Sequence, residues 1–143
     1  MEKKMNNKGF SLVELIIVVA IMAVLIGVLA PTYLKYVESS RRTSDCTSVG
    51  SILDACEVLA IDPTSDFAGA TIAYDANGVC TITDASGDLD EITGANGSEL
   101  QADWGAFTIS CTITDGEVAF SVTAGTFATD CADYSDALAN RLE

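Results

Sequence analysis

Residues 8–31 read KGFSLVELIIVVAIMAVLIGVLAP, from Lys8 to Pro31, and the reading of the whole chain turns on them. Between Phe10 and Ala30 there are 21 residues with one charge, Glu14, and one hydroxyl, Ser11. A helix rises about 1.5 Å per residue, so such a run covers roughly 30 Å, one hydrocarbon core. Lys3, Lys4 and Lys8 precede it. Basic residues on that flank favour keeping it in the cytoplasm, which puts everything after Pro31 outside.

The charge distribution follows the same division. Six of the seven basic residues precede position 43, and only Arg141 follows it. Eighteen of the 21 acidic residues lie in residues 43–143, so that part alone carries −17. This asymmetry separates a membrane-proximal end from a solvated one. It argues against nucleic-acid binding by the acidic part, because phosphates are neutralised by grouped Lys and Arg. The chain has no histidine, which removes the commonest zinc ligand and the commonest general acid–base. No nucleophile–base pair, phosphate loop or nucleotide fingerprint is present, and the reading is of a protein that is not an enzyme and needs no cofactor. Five cysteines in a small polar head indicate an extracytoplasmic chain with one or two bridges and at least one thiol left over.

Beyond Pro31 the helix continues with a different pattern. Cys46, Val49, Leu53, Cys56 and Ala60 recur at intervals of three and four, and Ile52 and Leu59 widen the stripe. This is an amphipathic helix with one face docked. Asp62-Pro63 ends it, because a residue before proline is pushed out of the α region. A single helix from Phe10 to Ile61 would be roughly 75 Å long. Gly27 and Pro31 are the expected kink.

From Thr71 the period falls to two. Phe107, Ile109, Cys111 and Ile113 alternate with Thr108, Ser110, Thr112 and Thr114. Asp115-Gly116 makes a two-residue turn, and Val118, Phe120 and Val122 alternate after it. That register sets Ile113 opposite Val118, Cys111 opposite Phe120 and Ile109 opposite Val122, with one apolar face. An earlier pair, Thr71–Tyr74 and Val79–Thr83, flanks Asn77-Gly78, where the turn is clearer than the register. Residues 84–99 read as loop, and Asp133–Leu142 as a short helix.

The segment Lys8-Gly9-Phe10-Ser11-Leu12-Val13-Glu14 resembles the processing motif of type IV prepilins. In that family a basic residue and glycine precede a phenylalanine, glutamate is the fifth residue after the cut, and an unbroken apolar stretch follows. The resemblance covers roughly residues 4–35. It implies cleavage between Gly9 and Phe10 by a membrane-embedded prepilin peptidase, and methylation of the new amino terminus at Phe10. It also implies an α+β pilin fold, a long kinked N-terminal helix packed on a small antiparallel sheet of about four strands. The implied parts are a leader at 1–9, an assembly half of the helix at 10–31, an amphipathic half at 32–61 and an acidic β-rich head at 62–143. Implied partners are other copies of the chain in a filament, the pilus assembly machinery, and the cytoplasmic membrane before assembly. The filament would end up extracellular and serve adhesion, motility or DNA uptake. A pseudopilin of a secretion system is a close alternative. A monomeric membrane-anchored binding module is one of a different class. A conventional signal peptide is disfavoured, since a cut after Ala30 would leave Pro31 at the terminus.

Physical chemistry gives Glu14 a role of its own. A carboxylate at mid-membrane costs about 2.5–3.5 kcal/mol, and less near the interface where Glu14 sits. The obvious partner is the free amino terminus at Phe10 of a neighbouring subunit, since an intramolecular pair would be strained. Glu14 is therefore the candidate subunit-assembly residue, and a charge snorkelling to the interface is the bland alternative. Cys46 and Cys56, about 15 Å apart on one helix, are too distant to bridge each other, while Cys56 and Cys111 read as core thiols. Many pilin heads tie the C-terminal segment to the sheet with a disulfide, which by resemblance assigns Cys131 that role. Its partner is Cys111 or Cys80, with Cys111 slightly favoured. Asp84, Asp88, Asp90 and Glu91 do not match the spacing of a calcium loop and read as a solvated acidic loop, so no metal is expected. Asn96-Gly97-Ser98 fits a glycosylation sequon, a pattern that recurs by chance. Tyr33 and Tyr36 read as packing residues.

Overall fold

The computed structural model describes residues 9–123, 125–133, 138 and 140–142. Residues 1–8 of the expected leader at 1–9 and half of the expected tail helix at 133–142 lie outside these. The chain divides into two compact units, Met1–Val37 and Glu38–Glu143.

Helix α1 (Leu12–Ile61) runs for 50 residues and contributes to both units. It ends where Asp62-Pro63 requires. The Thr64 amide and hydroxyl both donate to the Asp62 carboxylate, which turns the chain and holds that carboxyl below the usual range. Within the second unit the expected stripe faces inward: Cys46, Val49, Ile52, Leu53, Cys56 and Leu59 are all buried, and Ala60 at its end is half-buried.

The stripe packs on one antiparallel sheet, completing an α+β architecture. Its strands are β1 (Gly69–Tyr74), β2 (Cys80–Asp84), β3 (Phe107–Thr114) and β4 (Glu117–Thr123), in the order β2-β1-β3-β4. The second hairpin has the register that alternation predicts, pairing Ile113 with Val118, Cys111 with Phe120 and Ile109 with Val122. Asp115 and Gly116 both have positive φ, as a two-residue turn of the matching twist demands. The inward residues are Ala70, Ile72 and Tyr74 on β1, Cys80 and Ile82 on β2, Phe107, Ile109 and Cys111 on β3, and Phe120 on β4. Gly69 allows β1 to start this close to β3. A Cβ there would lie 2.6 Å from the Cys111 carbonyl oxygen, at a φ of +119°.

Three expectations change. Asn77-Gly78 lies in a turn as expected, but β1 and β2 pair from Tyr74 and Cys80, so the connection is Asp75 to Val79 and β2 starts one residue later than Val79. The Asp75 carboxylate accepts from the Asn77 and Val79 amides and closes this longer loop, which holds its carboxyl low. Residues 84–99 are not all loop. They contain the short helix α2 (Asp88–Thr93), which buries Leu89 and lies between left-handed glycines Gly87 and Gly94. The third change is a disulfide. Cys131 pairs with Cys46, not with Cys111 or Cys80, at a Cα separation of 6.2 Å.

Aromatic stacking explains that pairing. Helix α3 (Phe127–Cys131) buries Phe127, whose ring stacks on Phe107 with centroids 4.0 Å apart and meets Trp104 edge-on at 4.9 Å. Tyr74 stacks on the other side of Phe107. This column carries the chain after β4 to the Cys46 end of the stripe. Cys111 is held on β3 against Cys56, and Cys80 meets the Tyr74 hydroxyl.

Candidate functional site

The N-terminal unit is a helix without a covering. Every described residue from Gly9 to Tyr36 is exposed, and the most apolar window, with mean hydropathy 3.1, buries none of its residues within the chain. Leu, Ile, Val, Met and Ala cover all sides, the composition of a helix whose solvent is lipid or other helices rather than water. The segment is long and apolar enough to cross a membrane.

Its first residues are arranged differently. Gly9, Phe10 and Ser11 are not helical, and the Ser11 carbonyl accepts the Glu14 and Leu15 amides to begin the first turn. The Gly9–Phe10 bond thus lies in irregular backbone just ahead of the helix. A Cβ at Gly9 would meet nothing within 4 Å. Among the described residues nothing crowds position 9.

Glu14 is the one acid of the first turn. The unsatisfied N–H groups of that turn make it a favourable place for a carboxylate. This local stabilisation offsets part of its membrane cost without supplying a cationic partner. Gly27 and Pro31 both lie inside α1. A Cβ at Gly27 would also meet nothing within 4 Å, so this helix-weakening residue has no packing cause among the described residues.

Residues 4–30 match the family model of the prokaryotic N-terminal methylation motif. The N-terminus is a type IV prepilin-like signal. The matched span holds Gly9, Phe10, Glu14 and Gly27, and it ends one residue before Pro31. No curated protein and no solved structure matches the chain. The motif supports a precursor of the pilin or pseudopilin type, processed at its N-terminus and anchored in the membrane beforehand.

The acidic unit contains groups that patterning did not single out. Asp45 is 3% exposed and lies on the buried stripe. Its two carboxylate oxygens accept the Gln101 and Ala102 amides, each at 2.8 Å, and the Trp104 indole N–H at 2.9 Å. Its spacing of four before Val49 and seven before Ile52 was the available signal. Arg42 covers the same ring from outside, its guanidinium 4.7 Å from the Trp104 centroid. Arg141, the lone cation beyond position 42, reaches Asp54 and Glu57 on α1, each at 2.7 Å, and lies over Phe120. It fastens the end of the chain to the helix.

The acidic loop residues are turned to local bonds. Asp84 accepts from Leu89 and Ser86, Asp88 from Ser65, and Asp90 from Asn96. Among the described residues, no three of His, Cys, Asp or Glu converge as a metal site would need. Asn96, Tyr33 and Tyr36 are exposed. A groove of about 470 Å³ runs between α1 and the segment 92–101 and includes Asp45, Tyr74 and Leu100. Its carboxylate is already saturated by the Gln101, Ala102 and Trp104 donors.

Proposed function

We propose that this chain is the precursor of a structural filament subunit, a type IV pilin cut between Gly9 and Phe10 and polymerised through the first half of α1. The observation that carries the reading is the union of two features in one segment. The methylation motif spans residues 4–30, and the helix it opens is apolar on every side with no cover from its own chain. Such a helix is stable in lipid before assembly and in a bundle of identical helices afterwards.

A plain tether would need the apolar residues but not Gly9, Glu14 or Gly27. Gly9 suits a peptidase that must bring the backbone close. Glu14 suits an axial register, pairing with the new amino terminus of a neighbouring copy, while Leu, Ile and Val supply adhesion. Gly27 and Pro31 suit a helix that must bend or admit a neighbour closely. The acidic unit then forms the filament surface, with α1 as its inner support.

Shearing fibres from cells that produce this chain and sequencing their subunit tests the reading. The expected result is this chain as a main component, beginning at Phe10. Finding it processed but only in membrane extracts would replace the pilus reading with a pseudopilin. Finding it unprocessed and monomeric would leave a membrane-anchored binding module.

A further inference from the structure

The sheet has two edges, formed by β2 and β4, and they differ. Thr114 and Glu117 flank a two-residue turn, so they form a hydrogen-bonded pair, and such pairs alternate from there. Thr112, Ser110 and Thr108 therefore bond to β4, while Cys111, Ile109 and Phe107 bond to β1. Carried across the sheet, this alternation turns the backbone groups of Cys80 and Ile82 outward on β2. Their bonds agree with it. The Cys80 amide donates to the Ser98 carbonyl, and the Cys80 carbonyl accepts from the Gly97 amide. The Ile82 amide donates to the Asn96 side chain at 3.4 Å. Residues 96–98 thus cover the β2 edge.

On β4 the outward backbone groups are those of Val118, Phe120 and Val122. Among the described residues, none of these N–H and C=O groups has a hydrogen-bond partner. The strand also lacks the devices that ordinarily guard an edge. It runs from Glu117 to Thr123 in unbroken register, without proline, lysine or a bulge. Its one charge is Glu117, at its first position. Ala119 and Ser121 are exposed, and Val118 and Val122 are half-buried.

We propose that β4 pairs antiparallel with β4 of a second copy, centred on Phe120 and joining their sheets into one. The order Val118-Ala119-Phe120-Ser121-Val122 is nearly symmetric about its middle, which makes the edge self-complementary. Val118 exchanges both backbone hydrogen bonds with Val122 of the second copy, and Phe120 does so with its own counterpart. Ala119 faces Ser121 of the second copy, and Glu117 faces Thr123 of the second copy. No like charges are opposed along the ladder. A basic strand would find only Glu117 to pair with, so a second copy is the better match.

The symmetry decides where this contact forms. An antiparallel strand pair has its two-fold axis normal to the sheet. The second half of α1, packed on that sheet, then points in opposite directions in the two copies. Copies within one fibre, or anchored in one membrane, all point the same way. The contact therefore joins copies from two oppositely directed fibres, and it rests on the filament reading. Five residues at about 3.4 Å each give a seam of roughly 17 Å. Such a seam falls short of the ~1,200 Å² of a stable interface, so single heads pair weakly, while repetition along two fibres adds up. Residues 43–143 carry −17, so salt should strengthen the contact by screening repulsion between heads.

Two variants of the full chain, Ala119→Cys and Ser121→Cys, read the register, since both positions are exposed. Sheared fibres of one are mixed with fibres of the other under mild oxidation, and dimers are scored on a non-reducing gel. The mixture should give a reducible dimer, and neither variant alone should. Val122→Pro removes an outward N–H that β3 does not use, so the sheet keeps its bonds while the dimer is lost. Ser121→Glu places like charges across the seam on the exposed face. In electron micrographs it should disperse the side-by-side bundles that the parent forms more fully as salt rises. A dimer from Ala119→Cys alone would overturn this register. No dimer from a mixture of intact fibres would overturn the pairing and leave the filament reading standing. If the chain enters no fibres, the same mixture in detergent separates the two: a dimer keeps the β4 pairing without the filament, and none overturns both.

Discussion

The Trp104 indole donates its N–H to the Asp45 carboxylate at 2.9 Å, joining residues 59 positions apart. The same carboxylate takes the Gln101 and Ala102 amides, so one buried charge secures the whole approach to β3 against the helix. Its cost of burial is offset by three donors rather than by a counter-ion.

Asp45→Ala removes that acceptor and leaves three donors to find water or go unpaired. The expected loss is about 3–5 kcal/mol of stability in the acidic unit. Asp45→Asn should recover only part of it, since its amide turns a donor toward other donors. Urea titration followed by circular dichroism of the detergent-solubilised chain measures both.

The Cys46–Cys131 bridge closes a separation of 85 residues. Cys131→Ser should therefore cost about 2–5 kcal/mol, mainly through a freer unfolded chain. Reductant should lower the urea midpoint of the parent protein. The single substitution should make the remaining response smaller, and an unchanged response would show that this bridge does not form.

Arg141→Ala should have a smaller effect. Asp54 and Glu57 are well exposed, so losing both pairs should cost about 1 kcal/mol, and less in high salt. The clearer readout is faster proteolysis of the last residues, which lose their attachment to α1.

Gly9→Leu should leave the fold intact, since a Cβ at position 9 meets nothing within 4 Å among the described residues. Processing should stop. Intact mass should show the parent beginning at Phe10 with one added methyl group, and the variant retaining its first nine residues.

Glu14→Leu should still insert, and more readily, because a charge leaves an apolar span. The acidic unit should fold as before. Fibre yield should collapse if a neighbour's amino terminus loses its counter-charge, a loss of about 3–5 kcal/mol per contact. Glu14→Asp keeps the charge with a shorter reach and should assemble partially. Normal fibres from Glu14→Leu would reduce the residue to a snorkelling charge.

Local patterns were readable where the physics is local. The Asp115-Gly116 hairpin was legible to the residue, because two positive-φ positions and strict alternation permit one register. Around Asn77-Gly78 the turn was legible and the register was not. The Asp75 side chain accepts two amides and lengthens the loop, an option that alternation cannot reveal. Helix α2 hid among turn-forming residues because a single buried side chain, Leu89, anchors it.

The sequence by itself determined the apolar helix, its processing motif, the inward stripe of α1 and the α+β class, since each is a periodicity or a short ordered string. Only the tertiary structure decided which sulfur meets Cys131, what neutralises the cost of burying Asp45, and where Arg141 anchors the tail. Those outcomes depend on contacts between residues 56 to 87 positions apart. The stacking of Phe127 on Phe107 and Trp104 sets where α3 lies, and spacing along the chain carries no record of that geometry.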